Sequence, residues 1–253
     1  MTFAFRPRHA LVTATVLATG LAGGHAVAGE PKAVVELFTS QGCSSCPPAD
    51  AVLGRLAEDP DLLALSYAVD YWDYLGWRDT FASTINSARQ RDYAASRGDN
   101  AVYTPQAVIN GRVHVVGSKE AAIRQQVKAL GGETGALSVD VEAVVAGDRL
   151  IIRIPAGTAL HGDDPTIWLV TYRKAAVVEI ARGENKGREV TYTNIVRRLQ
   201  PIGMWSGEPM TIEFPLGDLQ HEDADGCAVL LQSHTGRHIG PIVGAATVKL
   251  PSS

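Results

Sequence analysis

Glu36-Leu37-Phe38-Thr39-Ser40-Gln41-Gly42-Cys43-Ser44-Ser45-Cys46-Pro47-Pro48-Ala49-Asp50 joins an apolar run to a helix start across a cysteine pair. Ala33 to Phe38 reads as a buried strand. Pro47-Pro48 is tolerated only in a first helical turn, and Pro48 to Glu58 continues with Val52, Leu53, Leu56 and Ala57 on one face. Two cysteines separated by two residues at a helix start can close a reversible disulfide. Cys43 is expected to lie beside the unsatisfied N–H groups and positive end of that helix, which favour a thiolate. A thiolate attacks a disulfide, and the second cysteine, Cys46, resolves the mixed disulfide. Zinc sites share this spacing, but structural zinc usually takes a second ligand pair, and Cys227 stands alone.

Outward from this stretch, Leu62 to Val69 is a second strand and Phe81 to Arg97, free of Gly and Pro, a helix. Gln106 to Asn110 and Val113 to Val116, split by Asn110-Gly111, predict a β-hairpin. Lys119 to Leu130 predicts a closing helix ended by Gly131. The order is β-α-β-α-β-β-α. Thr104-Pro105 leads into the hairpin. A cis bond there sets the Thr104 backbone opposite the cysteines, and a trans proline simply opens an edge strand.

After Gly131-Gly132-Glu133-Thr134-Gly135 short strands dominate: Leu137–Val145, Arg149–Ile154, Thr166–Tyr172, Val190–Ile195, Met210–Phe214, Ala228–Gln232 and Ile242–Leu250. The predicted architecture is α/β: a domain over 29–133 with a central mixed sheet flanked by helices, then a smaller all-β, sandwich-like domain over 134–253.

Residues 1–28 read as a secretory signal. Arg6 and Arg8 precede an apolar run that is too short to span a bilayer, and Ala26-Val27-Ala28 offers a small-x-small cleavage pattern. Removing Arg6 and Arg8 from the 23 basic residues leaves 21 against 27 acidic ones, a net charge of −6. The expected product is periplasmic or secreted, has no membrane span after cleavage, and occupies a compartment that permits disulfides. With 45% hydrophobic residues the 253-residue chain is not disordered, and three cysteines exclude a disulfide-dense scaffold. The acidic balance argues against a nucleic-acid partner.

Val34 to Leu130 resembles the thioredoxin superfamily, and Thr104 to Gly111 resembles the cis-proline strand of glutaredoxins. The mature chain more closely resembles a secreted, thioredoxin-like family, domain of unknown function 1223. That match rests on Glu36 to Asp50, Val69 to Trp77, Tyr103-Thr104-Pro105-Gln106 and Gly183-Glu184-Asn185-Lys186-Gly187. The resemblance implies Cys43 as attacking thiol, Cys46 as resolving thiol and Pro105 as a cis proline. It also implies Glu36 as a buried proton acceptor, at an offset from Cys43 one residue longer than usual. Gly117-Ser118-Lys119-Glu120 lacks the Gly-Gly-x-Asp with which glutaredoxins hold glutathione.

Other signals have plainer alternatives. Tyr67, Tyr71, Trp72, Tyr74 and Trp77 form either a packed loop or an aromatic wall beside the cysteines, with Trp72, Trp77 and Tyr103 the candidates for substrate contact. Asp70, Asp73 and Asp79 lack the spacing of a calcium loop and read as solvated or capping residues. His114 could join the cysteines on copper only across the hairpin. His221, His234 and His238 read as surface histidines, Cys227 as a buried thiol, and Gly183–Gly187 as a turn first and a ligand loop second.

The expected function is an exported thiol–disulfide oxidoreductase acting on cysteine-containing exported proteins or a redox partner. It needs no dissociable cofactor, because the electrons travel in the sulfurs. Two alternatives are a binding protein with a permanent Cys43–Cys46 disulfide, favoured by a buried Cys43, and a copper-handling protein.

Overall fold

The structure, a computed structural model, describes residues 30–131, 137–157, 164–219 and 223–251. The expected signal segment, the 133/134 boundary and His221 lie outside them. The first half follows the predicted order: β1 (Ala33–Thr39), α1 (Pro47–Leu56), β2 (Leu62–Ala68), α2 (Thr84–Arg97), β3 (Gln106–Ile109), β4 (Val113–Val116) and α3 (Glu120–Gly131). β1 is parallel to β2 and antiparallel to β3, which pairs with β4. The hairpin turn places Asn110 and Gly111 at positive φ, 48° and 66°. A Cβ on Gly111 would lie 2.8 Å from the Gly240 carbonyl oxygen, so the backbone packs too closely there for a side chain.

Alternation along β1 divides the core. Val35 and Leu37 face Val52, Leu53 and Leu56 of α1 and Ile123 of α3. Val34 and Phe38 face the other way, toward Tyr93 of α2. Glu36 shares the parity of this second set.

The second half supplies β5 (Glu142–Ala146), β6 (Arg149–Ile154), β7 (Thr166–Glu179), β8 (Glu189–Met204), β9 (Met210–Pro215), β10 (Gly226–Thr235) and β11 (His238–Lys249). Four of these strands continue the first sheet, which is eight-stranded in the order β11-β10-β7-β8-β2-β1-β3-β4. The junction is a parallel contact of β8 with β2 at Ile195 and Ser66. β5-β6-β9 form a separate antiparallel sheet that packs Ala143, Leu150 and Ile152 on Leu169, Val229 and Val243. The sandwich-like layering is therefore present, with one of its layers shared with the first half. No helix among the described residues is long and apolar enough to cross a membrane.

β7 and β8 run well beyond the stretches predicted for them. Their hairpin carries residues 180–188 past α1 to the cysteine loop, where Asn185 meets Gln41 and Cys43.

Candidate functional site

Cys43 and Cys46 form a disulfide with their Cα atoms 5.4 Å apart. Cys46 is the N-cap of α1, and Pro47 and Pro48 fill the next two positions. This overturns one detail of the expected thiolate site. The prolines have no N–H, and the N–H groups of Ala49 and Asp50 both donate to the Cys46 carbonyl, at 2.8 and 3.1 Å. The first-turn donors are thus missing or occupied, leaving the helix dipole as the positive influence. The hydroxyl of Ser45 lies 3.5 Å from Cys43 Sγ.

The Thr104–Pro105 bond is cis. Gly117 shows how closely the loop approaches α1: a Cβ there would lie 3.2 Å from Pro105 Cβ and 3.3 Å from Ala49 Cβ. Trp72 bridges the two sides. Its indole N–H donates to Thr104 Oγ1 at 2.8 Å, and its Cβ would stand 3.1 Å from a Cβ on Gly42. Trp77 donates to Gln41 Oε1 at 2.8 Å. Tyr103 sits one residue before the cis bond, with its hydroxyl 2.8 Å from His114 Nδ1, whose other nitrogen is 3.2 Å from Asp99. Cys43, Cys46, Thr104, Pro105, Trp72 and Trp77 are thereby gathered at one end of β1.

Glu36 is not brought to that end. It is fully buried, but on the face turned from α1, where Arg89 Nε donates to it at 2.8 Å and the Tyr93 hydroxyl also donates. Two other buried carboxyls belong to the elements around the cysteines: Asp50 in the first turn of α1, and Asp79, which is bonded to the Gln41 N–H. Asp50 accepts from Thr39 Oγ1 at 2.8 Å, while its Oδ2 has no hydrogen-bond partner. Burial, reinforced by Asp79, pushes its pKa up to about 8 against the pull of Thr39. Asp79 accepts from the N–H groups of Gln41 and Phe81, both at 2.8 Å, and burial pushes its pKa up to about 6. Asp79 is buried rather than solvated and joins the cysteine loop to its own turn, while the N-cap of α2 is Ser83.

Cys43 is 1% exposed and Cys46 wholly buried, while Ser44 and Ser45 face solvent. The β7–β8 turn approaches here: Asn185 Nδ2 donates to the carbonyls of Gln41 and Cys43 at 2.9 and 2.8 Å, and the Ser44 N–H donates to Glu184 Oε2 at 3.3 Å. Cys227 is a buried free thiol on β10, pushed up to about 12 by burial. Among the described residues no group of three or more His, Cys, Asp or Glu is placed to hold a metal ion.

A family model described as "Protein of unknown function (DUF1223)" matches residues 34–232, which include every part of this arrangement. The chain belongs to the DUF1223 family. Its fold is shared with protein AGR_C_4864 from Agrobacterium tumefaciens, solved by X-ray crystallography. That protein is 38% identical, with a TM-score of 0.78, over 88% of this chain and 96% of that one. HBP35 of Porphyromonas gingivalis is similar in fold alone, at 12% identity and a TM-score of 0.58, over 87% of this chain and 76% of that one. No curated protein matches the chain.

Two site features of this DUF1223 protein escaped the reading of its residues. Asp50 lies in the quoted stretch, but a carboxyl in a first helical turn ordinarily signals favourable dipole pairing in solvent. Asn185 lies 142 residues from Cys43, and the glycines at 183 and 187 announce a turn without announcing what the turn touches.

Proposed function

We propose that this DUF1223 protein is an exported thiol–disulfide redox protein of the thioredoxin superfamily, acting in the periplasm or outside the cell on cysteine-bearing proteins. One observation carries the reading: a Cys43–Cys46 disulfide at the start of α1, with a cis proline packed beside the first turn of the same helix. In the reduced protein the Cys43 thiolate attacks a substrate disulfide, whose far sulfur leaves with the first electron pair. Cys46 then displaces the substrate from Cys43 and closes the protein disulfide, so the substrate gains two electrons and the protein loses them. Run backwards, the same steps oxidise a dithiol. Thr104 and Pro105 flank the substrate segment, and Trp72, Trp77 and Tyr103 wall the approach. Asp50 is better placed than Glu36 to exchange a proton near the pair.

The test removes the resolving thiol. With glutathione disulfide, reduced Cys46→Ser is expected to accumulate a mixed disulfide at Cys43, seen by mass spectrometry of the intact protein. Cys43→Ser should form its adduct at least ten times more slowly. Equal, slow labelling of both variants would remove the assigned roles.

The near-complete burial of Cys43 favours a second reading, a binding protein whose disulfide is permanent. An immovable cover over Cys43 is what that reading needs.

A further inference from the structure

Between Ile180 and Val190 the β7–β8 turn is exposed or half-exposed at every position but one, Asn185, which is fully buried. Gly183 and Gly187, at φ of 77° and 78°, turn the chain so that Asn185 points inward. The turn closes on itself through Gly187 N–H to Ile180 O at 2.7 Å and Lys186 N–H to Gly183 O at 3.2 Å. Its hold on the cysteine loop is narrow: two bonds from one amide group, plus the longer contact of Glu184 with Ser44.

The hold also carries an internal penalty. Asn185 Oδ1 is buried without a hydrogen-bond partner. Withdrawing a polar atom from water unpaired costs about as much as one or two ordinary hydrogen bonds contribute. Lifting the turn returns Oδ1, Gln41 O and Cys43 O to water, which offsets part of what the two Nδ2 bonds contribute to the closed arrangement.

We propose that the turn 183–187 is a latch, with Asn185 as its bolt, that covers Cys43 and must lift before the sulfur can be attacked. The proposal rests on the redox reading of the cysteine pair and adds a gate to it: partners gain access by displacing the turn, and a thiol in solution waits for it to open. A peptide with a free backbone N–H near its cysteine could satisfy the Gln41 and Cys43 carbonyls that Asn185 releases, which makes an extended, cysteine-bearing segment the natural opener.

The probe is dithiothreitol. One of its thiolates attacks Cys43 Sγ, the Cys43–Cys46 bond breaks and Cys46 leaves as a thiolate. The second thiol of the reagent then displaces Cys43, giving the cyclic disulfide of the reagent and a protein that has gained two electrons and two protons. Reduction is followed by quenched alkylation and mass. In the natural protein the rate is expected to level off as dithiothreitol rises, because opening becomes limiting. Asn185→Ala should be reduced at least tenfold faster at that plateau. Gly187→Ala, which strains a turn position with nothing within 4 Å of the added carbon, should accelerate reduction several-fold with the bolt intact. If Asn185→Ala does not fold, Gly187→Ala alone decides. A rate linear in dithiothreitol throughout, with every folded variant within twofold of the natural protein, would overturn the latch. The redox reading fails separately, on equal and slow labelling of Cys46→Ser and Cys43→Ser, whatever the latch variants do.

Discussion

Arg89→Ala is expected to lower the stability of the folded protein by about 3–5 kcal/mol, the usual cost of removing one partner from a buried ion pair. Both side chains of the Arg89–Glu36 pair are sealed, at 3% and 0% exposure. Arg89 also donates to the Tyr93 hydroxyl at 2.9 Å, and its guanidinium lies 5.0–5.8 Å from the ring centroids of Tyr93, Tyr67 and Trp168. Burial works against the charge on Arg89, yet Glu36 and the two tyrosines hold its pKa above the ordinary value. Alanine would strand the Glu36 carboxylate between β1 and α2 without its ion partner, the Tyr93 hydroxyl still donating to it. Urea denaturation of the oxidised protein measures the loss. The double change Glu36→Gln with Arg89→Met should recover more than half of it, since no unpaired charge remains. A loss below about 1 kcal/mol for Arg89→Ala would mean that the pair does not fasten α2 to the sheet.

The second large effect has the opposite sign. Asp50→Asn should stabilise the protein at pH 8 by on the order of 5 kcal/mol and change little at pH 4. The folded-state pKa of Asp50 is raised from 3.8 to about 8, so the fold prefers the neutral acid. The stability of the natural protein attributable to this group is therefore complete below about pH 4. It is lost as pH rises toward 8, at up to about 1.4 kcal/mol per pH unit. Asparagine escapes this loss: its carbonyl accepts from Thr39, and its amide takes the unpartnered Oδ2 position without a charge. Melting curves of both proteins from pH 4 to pH 8 test it. A difference that stays constant across the range would place Asp50 in contact with water and deny the buried carboxyl.

The residues disclosed the first half of the fold well, because its signals are local. Ala33 to Phe38 is apolar but for Glu36, Asn110-Gly111 selects its own turn, and Pro47-Pro48 dates the helix start to within one residue. The second half disclosed its strands but not their lengths or partners. The prediction ended β7 at Tyr172, where Arg173-Lys174 interrupts the apolar run. The strand continues to Glu179 through a bulge between Thr171 and Tyr172 that shifts which side chains face the core. Pairing of β8 with β2 rests on a contact between residues 129 apart in the chain, Ser66 and Ile195, for which no local pattern exists. The candidate site divides the same way. The cysteines and the proline were legible as a motif, whereas Asn185 and the orientation of Glu36 depend on which elements the sheet brings together. At Glu36 a shift of one position along β1 turns the side chain to the opposite face.

The most direct test of the account is the reduction potential of Cys43–Cys46, measured on protein lacking residues 1–28 in dithiothreitol and glutathione buffers until equilibrium is reached from both directions. A redox-active pair lies between about −120 and −270 mV, its oxidising end reached when the reduced thiolate is strongly stabilised. Here Pro47 and Pro48 remove two helix donors, Cys46 occupies the next two, and the Glu184 carboxylate stands against the Ser44 N–H. The thiolate receives little help, so the expected potential is in the reducing part of the range, about −200 to −270 mV. A potential below about −300 mV would identify a permanent disulfide and contradict the redox function.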